Sequence, residues 1–288
     1  GNATVTGTLN AGATTLNSAT VITDASVGGN LDVTGNATVD GTLSAGATTL
    51  NSATITNDAS VGGNATVTGT LSAGATTLNS ATVTNNASVG GTLGVTGNTT
   101  IGGALSAGAT TLDSATITND ASVGGNATVS GTLSAGATTL DSATITNDTS
   151  VGGTLGVTGN TTIGGTLSAG ATTLNSATIT NDASVGGNAT VTGTLSAGAT
   201  TLNSATVTNN ASVGGTLGVT GNTTVGGTLG VTGNTTVSGT LNAGATTLDS
   251  ATVTNDAGIG GNLDVTGNAT VDGTLSAGAT TLNSATIA

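Results

Sequence analysis

The chain contains no Lys, Arg, His, Cys, Met, Pro, Phe, Tyr, Trp or Glu. Each absence removes a class of function. A Ser or Thr nucleophile needs a base to take its proton, and no His, Lys or Glu exists to act as one. The chain is therefore read as no enzyme, with no catalytic residue. A transition-metal site needs imidazole or thiolate, so no metal ligand, cofactor or cofactor-binding residue is assigned. Nucleic acid is held by cationic neutralisation of phosphates and by stacking on aromatic rings, and both are missing. Polybasic attraction to anionic lipid fails for the same reason. No apolar run approaches a membrane span, and the opening residues lack the form of a signal peptide. No small-molecule substrate is expected. Without Cys there is no disulfide.

What remains is Gly, Ala, Ser, Thr, Val, Leu, Ile, Asn and Asp over 288 residues, 50 of them Gly. The 13 Asp are the only charged side chains and give a net charge of −13. They have no cationic side chain to pair with. Their repulsion should keep copies of the chain apart in solution.

The composition hides a repeat, and repeats decide the fold. The pentapeptide GATTL recurs from Gly12 to Gly278 at spacings of 34, 28, 34, 28, 34, 28, 46 and 34. A 34 and a 28 make a super-repeat of 62, and the spacings differ by multiples of six. The whole of 1–288 reads as one uninterrupted array with no capping domain. From Asn64 it divides into rows: NATVTG, TLSAG, ATTLN, SATVTN and NASVGG. In each row the second and fourth positions are mostly apolar and the others are mostly Thr, Ser, Asn, Asp or Gly. Such period-two alternation marks a half-buried strand. Val61, Val67, Ala73, Leu78, Val83 and Val89 take the main inward position in successive rows. Gly and Asn at row ends suit the positive φ of a tight corner.

A helix is excluded by the poor helix formers and the absence of an i, i+3, i+4 stripe. Disorder fits a chain in which Leu, Ile and Val are only about a fifth of residues. It is opposed by a mean hydropathy of +0.26 and a strictly kept inward position. The fold class is all-β: a β-solenoid or β-helix of five- and six-residue rows, each capping its neighbour's apolar face.

The segment Val67-Thr-Gly-Thr-Leu71-Ser72 resembles the left-handed β-helix hexapeptide in its six-residue step, although Leu71 is large where that family prefers a small residue. The rows TLGVTG-NTTIGG at Thr92–Gly103, together with ATTLNSAT, resemble the repetitive shafts of bacteriophage tail fibres and bacterial surface fibres. The resemblance implies an extracellular structural role, as a shaft or filament-forming segment of a cell-surface appendage or virion. Lacking Lys and Arg, such a shaft would offer trypsin no cleavage site.

Row counting addresses how many chains build one turn. The 62-residue super-repeat holds eleven rows, which is not a multiple of three. In a triangular single-chain coil, five-residue rows would then stack on six-residue rows of another type and spoil the corners. A parallel homotrimeric, intertwined β-helix places the same row of three chains at each level and is favoured on this count. The single-chain triangular solenoid is the alternative. With about 51 rows, the trimer would be roughly 240 Å long and about 79 kDa, and the single chain roughly 80 Å and about 26 kDa. The sequence lacks an initiator Met and cuts the repeat at both ends, the last residues being Asn283–Ala288. A processed product, a segment of a longer shaft or a subunit of a head-to-tail filament is expected, with self-association in any case.

Three residue types could carry chemistry. Asp24, Asp32 and Asp40 are eight apart, while Asp58, Asp120, Asp148, Asp182 and Asp256 recur at one row position. Asp113, Asp141 and Asp249 recur at another. Oxygen-rich clusters suit Ca²⁺, but Asn86 stands where Asp58 does and Asn79 and Asn203 where Asp113 does, so these positions read as solvated corners. Outward Thr pairs (Thr54/Thr56, Thr66/Thr68, Thr82/Thr84) resemble the ice-binding faces of some β-solenoid antifreeze proteins. That surface-binding role is the alternative function. Rows between them present Ser60 and Gly62 or Ser72 and Gly74, so no Thr ladder is expected to run the full length. Sequons such as Asn36, Asn64, Asn86 and Asn98 are acceptors that this composition produces by chance. Gly62-Gly63 and Gly90-Gly91 read as corners, not phosphate loops.

Overall fold

A computed structural model describes residues 1–287; the last residue of the array, Ala288, lies outside them. Alternating apolar and polar positions become 29 strands, and no helix occurs among the described residues. The strand pairs with a defined register are all parallel, and partners lie 16, 17 or 18 residues apart: Asn2 pairs with Ser18, Thr14 with Leu31 and Ala25 with Leu43. Three rows make one turn. The chain is a parallel β-solenoid in two units, Gly1–Thr144 and Ile145–Ala288.

Of the two arrangements left by row counting, the structure takes the single-chain one: three rows of the same chain complete each turn. The favoured intertwined arrangement rested on the claim that unequal rows cannot stack, and the corners show why they can. In the first unit the row that carries Leu78, Ala75–Asn79, is five residues long and the one above it, Thr92–Gly97, which carries Val95, is six. Leu78 pairs with Val95, but Ala81 pairs with Thr99, so the register slips by one residue at the corner between them. Gly97 sits in that slack, where a Cβ would lie 2.8 Å from the carbonyl oxygen of Asn79. A glycine at the longer corner absorbs the extra residue. The same slip recurs in the second unit, between Val157 and Asn160.

The glycines are not there for backbone handedness. No described residue, glycine or otherwise, has positive φ, which corrects the expectation drawn from the row ends. What the corners require is room for the next turn. At Gly74 a Cβ would stand 2.6 Å from the Asn57 carbonyl oxygen below, closer than any side chain tolerates.

The inward positions form the core as read. Val61, Val67, Ala73, Leu78, Val83 and Val89 are all buried. On one face of the first unit the paired rows are Ala53-Thr-Ile55, Leu71-Ser-Ala73, Ala87-Ser-Val89, Leu105-Ser-Ala107 and Ala121-Ser-Val123. Large and small alternate at both inward positions from one turn to the next, so side chains interlock along the axis. Each buried Leu there contributes about 1.5–3 kcal/mol. Twelve Thr also point inward and are buried, and nine of their hydroxyls, Thr76 and Thr138 among them, find no partner. Their methyls fill the place of a Val methyl, at the cost of a desolvated hydroxyl.

Candidate functional site

Strand geometry sends the middle residue of each row outward, and the corners carry the remaining polar groups. Two recurrent corner contacts hold one turn to the next. In the first, the Asp or Asn that begins a row accepts the backbone N–H of the residue that follows a glycine one turn above. Ala75 N donates to Asp58 Oδ1 at 2.9 Å, Ala104 N to Asn86 Oδ1 at 2.8 Å and Ala137 N to Asp120 Oδ1 at 2.9 Å. In the second unit Ala199 N donates to Asp182 at 2.9 Å and Thr228 N to Asn210 at 2.8 Å. Asp and Asn make the same bond because only an acceptor oxygen is needed.

Where Thr follows the glycine and the acceptor below is Asp, the hydroxyl joins in. Thr42 donates to Asp24 Oδ1 through its N–H at 2.8 Å and its hydroxyl at 3.0 Å. Thr166 does so to Asp148 at 2.7 and 3.0 Å, and Thr274 to Asp256 at 2.9 and 2.9 Å. The backbone N–H first, and the hydroxyl second, hold these three carboxyls below the usual carboxylate range.

The second contact is between Asn and Ser side chains. Ser80 Oγ lies 2.8 Å from Asn64 Oδ1, Ser142 2.6 Å from Asn126 and Ser204 2.7 Å from Asn188. The sequon Asn64 is thus tied to the turn above. At a further corner position, Thr68 Oγ1 lies 3.0 Å from Asn51 Oδ1 and Thr96 Oγ1 3.3 Å from Asn79 Oδ1. Asp249 accepts from Thr266 in the same way at 3.4 Å. Asp32 is instead on a face, in register with Thr15 below and Thr49 above. Among the described residues no three acidic side chains gather closely enough to hold a metal ion, and no helix is long and apolar enough to cross a membrane.

Two open notches lie on the outward faces. In the second unit an open notch of about 480 Å³ lies over Gly230, lined by Thr228, Thr247, Asn262 and Asp264. In the first unit the equivalent gap over Gly94, about 330 Å³, is lined by Thr77, Thr96, Thr111 and Asp113. Both arise because a glycine replaces the outward side chain of a row.

Face hydroxyls differ from corner hydroxyls. Thr49, Thr66, Thr82, Thr100 and Thr116 follow one another in register on five consecutive turns of one face in the first unit. In the second unit Thr173, Thr190, Thr206 and Thr224 do the same. These side chains make no hydrogen bond to the protein. Sequence reading missed the ladders because it compared neighbouring rows, whereas stacked rows are three apart. Reading every third row would have found them. No family model, curated protein or solved structure matches the chain.

Proposed function

We propose that the chain is a non-catalytic structural shaft, a segment of an extracellular fibre of the bacterial-appendage or virion-fibre kind. One observation carries the reading: inward side chains fill the core, and the Asp, Asn, Ser and Thr of the corners bond chiefly to the turn above or below. Little chemistry is left over for a site. A chain whose corner polar groups are spent on its own stacking is suited to stiffness and spacing. Freedom from Lys and Arg suits exposure to trypsin-like proteases. Immunogold labelling of whole cells and of virion preparations with an antibody to the chain tests the proposal. Gold along filamentous projections is the expected result, and gold confined to the cell interior would overturn it. Light scattering of the isolated chain tests the expected self-association: a mass that is a multiple of 26.2 kDa is expected, and the bare monomer mass at every concentration would remove that part.

A further inference from the structure

We infer that the threonine ladders are ice-binding surfaces, with the ladder Thr49, Thr66, Thr82, Thr100 and Thr116 as the most extended in the first unit. The inference is independent of the shaft reading, because a shaft can carry such a surface without depending on it.

Four observations select the occupant. The five hydroxyls have no partner in the protein, while corner hydroxyls of the same residue type, Thr68 and Thr96, are bonded to Asn51 and Asn79. The ladder hydroxyls must therefore be satisfied from outside. Their spacing is set by the backbone: adjacent rungs are direct register partners, so they repeat at about 4.8 Å. Thr is β-branched and stiff at χ1, so hydroxyl and methyl present a fixed pattern with little entropy left to lose on binding. No rung is charged, although the chain carries −13, and Asp32 and Ser134 bound the ladder below and above. A neutral, rigid, periodic array of hydroxyls and methyls matches a neutral, periodic hydrogen-bonding solid. Sugar polymers would call for aromatic platforms, and there are none.

Serine supplies the internal control. Ser72, Ser88, Ser106 and Ser122 form a ladder in the same register on another face of the first unit. They have hydroxyls but no methyls and freer rotamers, so they should not bind ice.

The test is freezing-point hysteresis and ice-crystal shaping by the full chain. One variant carries Lys on four rungs of the two Thr ladders (Thr66→Lys, Thr100→Lys, Thr173→Lys and Thr206→Lys). The other carries Lys on four Ser rungs (Ser72→Lys and Ser106→Lys, with Ser150→Lys and Ser184→Lys from the second-unit stack Ser150, Ser168 and Ser184). Circular dichroism melting verifies that both fold. The expected result is measurable hysteresis with faceted crystals for the unmodified chain, a loss of at least fivefold in the Thr variant and no loss in the Ser variant. Equal loss in both would overturn the inference. So would round ice crystals and no hysteresis from the unmodified chain at millimolar concentration, a result that needs neither variant to fold.

Discussion

Corner and face use the same few residue types for opposite ends. At a corner, Thr42 gives both its N–H and its hydroxyl to Asp24 one turn below. On a face, Thr82 gives its hydroxyl to nothing in the protein, although it is stacked between Thr66 and Thr100. The glycines divide in the same way. A Cβ at corner Gly74 would lie 2.6 Å from a carbonyl oxygen, whereas at face Gly94 its nearest neighbour would be 3.8 Å away. Position within the row, and not residue type, decides whether a group holds the solenoid together or is free to meet something else.

Substitutions can break or sharpen that contrast. The largest effect is expected at the crowded corner: Gly74→Val should destabilise by about 1–3 kcal/mol, seen as a lower midpoint in urea. An unchanged midpoint would mean that the corner yields freely. Inward hydroxyls belong to neither class, and Thr138→Val should stabilise by about 1–3 kcal/mol by removing a buried, unpartnered hydroxyl at nearly constant shape. Any loss of stability would show that the hydroxyl is paired in solution. Removing the neutral corner acceptor, Asn86→Ala, should cost about 0.5–1.5 kcal/mol; Asn86→Asp should restore the value at neutral pH. On the open face, Gly94→Thr should stabilise by about 0.5–1 kcal/mol, since glycine within a strand is entropically costly.

The smallest effect is pH-dependent. The carboxyls of Asp24, Asp148 and Asp256 titrate lower in the folded chain than their unfolded value of about 3.9. Their contribution is therefore present above about pH 4 and is lost as pH falls through the lowered folded pKa values. Replacing all three by Asn should leave the melting temperature at pH 7 unchanged and flatten its decline between about pH 4 and pH 2. An equally steep decline in the triple variant would place the acid response elsewhere.

Much of this architecture is legible in the residues. Alternation gave the strands, and the six buried positions from Val61 to Val89 lie where the row pattern puts them. The interchange of Asp58 with Asn86 signalled a shared corner role, and both accept an N–H from the turn above. Closure by a single chain was not legible, because whether a five-residue row can underlie a six-residue row depends on slack at a corner. Gly97 shows that slack only in three dimensions. The purpose of glycine was misread for a related reason: sequence shows a residue's conformational freedom but not what passes over it. The Thr ladders were hidden by adjacency of the wrong kind, since Thr66 touches Thr82 and not the intervening Ser72.

Because a turn is three rows, the number of rows between two features fixes the side of the molecule on which the second appears. Eleven rows are three turns and two rows over, so each super-repeat hands its decoration to the next side. In the first unit Thr4, Thr20 and Thr38 lie on one side, Thr49 to Thr116 on a second, and Thr111 and Thr128 on the third. Adding or deleting one row would swing everything downstream by a third of a revolution while leaving the interior chemistry of each row intact. Length, in such a chain, is also a setting of angle.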